Sequence, residues 1–338
     1  MKRIAFFLAL LFFLSAGIVY AQRGTAREEV VTIRFASILP RNTEWGRALD
    51  RLATEWQQVT NNQVRVIISH DGREGSEVKM FSSLSSNSIQ AGLFTSVGIA
   101  NICPAIINLS VPFLIANEAE FDLVLDDLMP ILEARVDPRF VILAWSKGGW
   151  VYLFSKEQVL TPADLRRQRI ATSPDLSEMN TAFRTMGFTV VDTDLAMVMR
   201  SLDRGEINTI YMTPIGVAPF QIHRSLNHML ELPISPIIGA VVINSVTWNK
   251  ISPAHQQEII RITRRMAVEF SESMSRTETD AISMMRRDGL SINKPTAAQH
   301  NLWQTELRGV LSPIMGTIYD QDIYGRIIQI LERSRSGQ

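Results

Sequence analysis

The segment DLRRQRIATSP, residues 164–174, gathers three arginines, Arg166, Arg167 and Arg169, ahead of Ile170 and Ala171. Guanidinium groups opening a strand are the chemistry of an anion site, because each can give a carboxylate two parallel charge-assisted hydrogen bonds. Yet the position best aimed at a ligand, near the strand's end, is Ala171, and Arg166 and Arg167 read as a solvated turn. Elsewhere the residue sets that make catalysts are missing. GREGSEV is neither a phosphate loop nor a dinucleotide fingerprint, and no G-x-S-x-G elbow occurs. His70 and Asp71 are adjacent and point apart, and His223 and His228 miss the i, i+4 metal spacing. Cys103 is the single cysteine, which excludes an intrachain disulfide and leaves no zinc spacing. It reads as a small buried apolar residue. These residues describe a binding protein without a metal or cofactor, not an enzyme.

The elements that must position them alternate. The β-branched run 30–37 reads as a strand. Trp45, Leu49, Leu52, Trp56 and Val59 then recur on one helical face, and 64–69 is the next strand. Ser76 caps a helix through Met80 and Leu84, a strand follows at 89–97, and a helix spans 118–134. Strands at 140–145 and 151–154 are separated by SKGGW, a natural place for the chain to pass between lobes. From 164 to 213 a second alternating run supplies its own sheet, with helices ended by Gly187 and Gly205. A strand at 237–248 returns to the first lobe. Residues 252–289 read as one long helix, with Ser252 as cap, Pro253 at its first position and Gly289 at its end. The stripe of Ile259, Ile262, Met266, Phe270 and Met274 is its core face, and two further helices close the chain.

A chain of 338 residues that is 46% hydrophobic holds two α/β lobes with real cores. Lysine plus arginine balances aspartate plus glutamate at 34 each, which argues against a nucleic-acid or anionic-membrane binder. Lys2 and Arg3 precede an apolar run from Ile4 to Tyr20, and Val19 and Ala21 fit a small-residue cleavage pattern. Residues 1–21 therefore read as a cleavable export signal, too short for a full membrane span. The expectation is a protein of the periplasm. The lobes are expected at 30–152 plus 237–270 and at 153–236 plus 271–338, with the ligand in the cleft between them near the carboxyl ends of the strands.

The order FASILPRNTEWGRALDRLATEW, VRVIISHDGREGSEVKMFSSL, LSVPFLI, LTPADLRRQRIATSP, LDRGEINTIYMTP and WNKISPAHQQEI resembles the solute-binding subunits of tripartite ATP-independent periplasmic (TRAP) transporters. The similarity runs over about 30–330. It implies a two-lobed receptor, with a long helix spanning both lobes, that closes on a small solute and delivers it to an ion-driven membrane permease. In that family the segment matching 164–172 carries an arginine that pairs with the substrate carboxylate, and here it aligns with Ala171. A second family arginine, on the hinge strand, aligns with Trp150. The family's Glu and Asn in the loop after the glycine align with Tyr211 and Met212. Trp45, Glu74, Ser96 and Thr213 complete the expected cleft residues, the last two as polar contacts orienting a ligand.

A cleft that loses two arginines and gains Trp, Ala, Tyr and Met leaves a buried carboxylate unpaired, at a cost of several kcal/mol. The expected ligand is hydrophobic or amphipathic. The departure resembles a branch of the family whose receptors work with a tetratricopeptide-repeat protein, which makes such a protein a candidate partner. Two other readings stand beside this one. One is a receptor for an organic acid using an arginine such as Arg73 or Arg169. The other is a periplasmic scaffold that binds no solute.

Overall fold

In the computed structural model residues 30–336 are described. The proposed export signal lies outside them. The strands are β1 (Val31–Ala36), β2 (Val64–Ser69), β3 (Ala91–Thr95), β4 (Phe140–Ser155), β5 (Arg169–Thr172), β6 (Thr189–Asp192), β7 (Thr209–Met212), β8 (His228–Leu230), β9 (Ser235–Asn244) and β10 (Ser291–Asn293). The longer helices are α1 (Glu44–Val59), α2 (Glu77–Ser85), α3 (Glu118–Glu133), α4 (Ser177–Thr185), α5 (Pro253–Arg287), α6 (Ala297–Ile314) and α7 (Gln321–Ser336). Among the described residues no helix is long and apolar enough to cross a membrane.

The strand order is β2-β1-β3-β9-β4-β7-β5-β6, with β8 pairing both β4 and β10. β1 is parallel to β2 and β3, β9 runs against both β3 and β4, and β7 runs against β4. The carboxyl ends of β1–β3 therefore face those of β5–β7 across the middle of β4. The loops that follow these strands meet there and form the walls of a cleft, with β4 and β9 as its floor.

β4 is where the two halves join. Through Val151 its partner is β9; from Tyr152 onward it pairs with β7. The SKGGW segment, expected as an interruption, is instead part of one continuous strand. The chain absorbs the glycines as a register shift between Lys147 and Trp150, and Gly149 takes φ +85°. Two other strands are shorter than expected because a side chain caps the turn that ends them. β3 stops at Thr95, whose hydroxyl accepts from the Val97 amide and opens a helical turn. β9 stops at Asn244, which caps the turn Ser245–Trp248 by accepting from the Thr247 amide.

α5 runs past both halves. Ser252 caps it, accepting from the His255 amide, with Pro253 at its first position. Its Ile259 and Ile262 are buried with Trp56 and Leu143 in the core of the first lobe. Its Met285 is buried with Phe154, Ala171 and Ile210 in the second. Met274 lies between, against Gly149. Cys103 is buried, its thiol against the Leu132 carbonyl.

Candidate functional site

Where β4 passes under α5 and the first turn of α3 there is a cavity of about 290 Å³. Phe121, Trp150 and Tyr152 supply aromatic walls, and Glu118, Lys147 and Glu278 supply its charges. The strand sets this arrangement. Gly149 lets the backbone come so close to α5 that an added Cβ would stand 2.8 Å from Glu278 Oε2. That approach brings the Trp150 amide to Glu278, donating at 3.0 Å. The Trp150 indole N–H donates to Glu118 Oε2 at 3.2 Å, and its ring packs edge-on against Phe121 with centroids 6.0 Å apart.

The electrostatics are acidic. Glu278 is only 6% exposed, and burial pushes its carboxyl up to about 7 despite hydrogen bonds from the Trp150 amide and the Tyr152 hydroxyl. The negative charge of Glu118 adds to the rise. Burial likewise pushes the Tyr152 phenol up, with Glu278 as a further cause. Lys147 is the cation of the group. Burial disfavours its charge, but its ion pairs with Asp122 and Glu118 outweigh that and hold it above its ordinary value. Among the described residues no group of His, Cys, Asp and Glu could hold a metal ion.

The expected cleft residues divide by strand alternation. Tyr152 stands opposite Met212 and Phe154 opposite Ile210, while Ala171 is level with Ile210 on β5. Trp150, Tyr152, Met212 and Ala171 therefore share one face of the sheet. Ala171 is 4% exposed there, packed with Phe154, Ile210 and Val198. Tyr211 points to the opposite face. Its hydroxyl meets Ser235 Oγ at 2.5 Å, its ring lies edge-on to Phe183, and burial pushes its phenol up.

Thr213 is buried and caps the helical turn after β7, accepting from the Gly216 amide. Ser96 is buried after β3 with its hydroxyl 3.2 Å from Ser110 Oγ. Its place is set by Glu77, a buried carboxylate that accepts from the Thr95 amide, the Thr95 hydroxyl and the Gly98 amide. Burial pushes Glu77 up, and those donors oppose the rise. Glu74 is half-buried in the loop after β2. Trp45 is half-buried at the start of α1, its ring 5.2 Å from that of Phe270 on α5. So the structure brings Trp150, Met212 and Ala171 onto one face and leaves Trp45, Glu74 and Tyr211 apart from it.

Glu118, Lys147, Tyr152 and Glu278 were not among the expected residues. One signal for Glu278 was readable: it extends the stripe of Met266, Phe270 and Met274 by four, placing a carboxylate on the buried face of a helix. The Gly148–Gly149 pair inside a strand was another, since it marks a close backbone approach.

A two-lobed α/β fold, cleft at the strand ends and one helix along both lobes, defines the class of periplasmic binding proteins. Residues 35–316 match the family model of DctP, the bacterial extracellular solute-binding proteins of family 7, and the chain belongs to that family. It is a bacterial extracellular solute-binding protein, a binding protein and not an enzyme. Solved structures of TRAP periplasmic solute-binding proteins share the fold. One from Ralstonia eutropha H16 with bound (S)-2-acetolactate aligns at a TM-score of 0.81 and 14% identity, covering 90% of this chain and 99% of that one. One from Sulfurospirillum deleyianum with bound succinate gives 0.79 and 16%, covering 88% and 98%. An extracytoplasmic solute receptor of Bordetella pertussis binding pyroglutamic acid gives 0.79 and 15%, covering 90% and 99%. No curated protein matches the chain.

Proposed function

We propose that this receptor captures a hydrophobic or amphipathic small molecule and hands it to a TRAP permease. The observation that carries the reading is the face holding Trp150, Tyr152, Met212 and Ala171, and the cavity that Trp150 and Tyr152 line has no arginine among its walls. Arg169 donates to the carbonyls of Gly205 and Glu206. Arg166 bonds Glu306 and the Met186 carbonyl, and Arg167 bonds Asp164. Arg73 is 75% exposed beside Asp71. Lys147 is held by two carboxylates. An apolar ligand gains roughly 25 cal/mol per Å² of apolar area covered, whereas an unpaired buried carboxylate loses several kcal/mol.

The competing reading, an organic acid held by Arg73 or Arg169, draws support from the acids bound in the three structures named above. Mass spectrometry of small molecules extracted from gently purified protein separates the two. Aliphatic or aromatic amphiphiles are the expected finding. A small carboxylate that also raises the melting temperature overturns it, and the absence of any solute favours a scaffold. We also infer lobe limits at 30–152 plus 237–270 and 153–236 plus 271–338, supported by the change of β4's partner between Val151 and Tyr152. A cleavable export signal over 1–21 and a tetratricopeptide-repeat partner belong to the same reading. N-terminal sequencing of the exported protein checks the first, and co-purification checks the second.

A further inference from the structure

We infer that the solute is an organic cation, a small ring carrying a protonated amine, and that the cavity beneath β4 receives the amine at Glu278 and Glu118. The inference rests on the amphipathic reading above and narrows it. The one ammonium at the cavity, Lys147, is taken up by Glu118 and Asp122. Glu278 is buried without a cation: its partners are the Trp150 amide and the Tyr152 hydroxyl, and the charge beside it is Glu118.

Each ligand class meets these walls differently. A carboxylate entering the cavity would face two acids of its own sign and find a single ammonium already shared. A neutral apolar molecule would use the rings and leave Glu278 with no partner for its charged form. A metal ion would find too few anionic ligands, since among the described residues no such cluster exists and the other polar walls are the neutral Asn117, Ser275 and Thr279. An ammonium answers both features. It pairs with Glu278, and it lies among Phe121, Trp150 and Tyr152, whose ring faces attract a cation. The volume of about 290 Å³ suits one ring with a short aminoalkyl arm. The cavity is continuous with the expected ligand face, because Tyr152 lines it and stands opposite Met212.

The test uses three probes of one shape on the full mature chain, by titration calorimetry at neutral pH: 2-phenylethylamine, 2-phenylethanol and 3-phenylpropionate. The amine is expected to bind tightest. Glu278→Gln is expected to weaken it about tenfold, the scale of a lost charge-assisted contact, and to change alcohol binding less than about threefold by the same scale. Glu118→Gln, at the exposed rim, gives a smaller loss in the same direction and serves if the first variant does not fold. Equal binding of amine and alcohol, or an amine affinity that neither substitution lowers, overturns the cation inference and leaves the amphipathic reading in place. Binding of the phenylpropionate alone overturns both. An amine that does not bind at millimolar concentration overturns the inference whatever the other probes do.

Discussion

Glu278 holds a carboxyl group that the fold buries, and that has a consequence for stability. Its folded pKa is about 7, against an ordinary value of 4.5, and burial is the main cause. Between those values the folded chain binds the proton more tightly than the unfolded one. The group's contribution is therefore full below pH 4.5 and is lost as pH rises through about 7. The difference amounts to roughly 3 kcal/mol at most. Glu278→Gln removes the dependence. Urea titrations of both chains without ligand, at pH 5 and pH 8, should show the variant gaining on the parent by up to that amount at the higher pH; a gap that does not change with pH would refute the assignment. Ala171 makes the opposite case. Ala171→Arg would put a guanidinium into a site 4% exposed among Phe154, Val198 and Ile210, and the expected result is a loss of several kcal/mol with no gain of succinate binding. Tight succinate binding by that variant would show that the side chain reaches the cleft and that the family arginine can be restored.

At the scale of elements, much was legible because it depended on local pattern. The stripe from Trp45 to Val59 predicts α1, and Leu49, Leu52 and Trp56 are buried on it. The caps at Ser76 and Ser252 act as expected. What local pattern missed needed a partner. The glycines of SKGGW read as a break, yet β9 carries the strand through them, and the reason for glycine lies across space in Glu278. The alignment that put Tyr211 and Met212 at the cleft did not say which of the two faced it; strand pairing turns them apart. The acidic cavity itself was illegible, since Glu118, Lys147, Tyr152 and Glu278 come from three elements that only the folded chain brings together. Gly149 offers the sharpest test of this geometry. At φ +85°, with Glu278 Oε2 where a Cβ would go, Gly149→Ala meets both left-handed strain and a clash, and should cost about 1–3 kcal/mol. Adding Glu278→Ala should recover the clash but not the strain. Denaturant midpoints of the two single variants and the double variant measure this, and additive losses would mean the two residues do not touch.

For the whole molecule, α5 decides how independent the lobes can be. Its 35 residues put Ile259 and Ile262 into one core and Met285 into another. Trp56 in the first lobe is tied to it by a hydrogen bond from its indole N–H to Thr263 Oγ1 at 3.1 Å. β4 likewise belongs to both halves, so neither lobe has a complete sheet-and-helix layer without elements it shares with the other. The connections that join the lobes are thus β4, β9 and the middle of α5, and any bending between the lobes would fall on them. The same sharing makes unfolding cooperative. Met285→Ala empties a fully buried site in the second lobe and should cost about 2–5 kcal/mol. That loss should appear equally in the fluorescence of Trp56, buried entirely in the first lobe's core, isolated by replacing the other tryptophans with phenylalanine. A calorimetric enthalpy equal to the van't Hoff enthalpy is the accompanying expectation. Two separate transitions, with Trp56 reporting only the one that Met285→Ala leaves unmoved, would mean that α5 breaks at its centre more easily than it links the two cores.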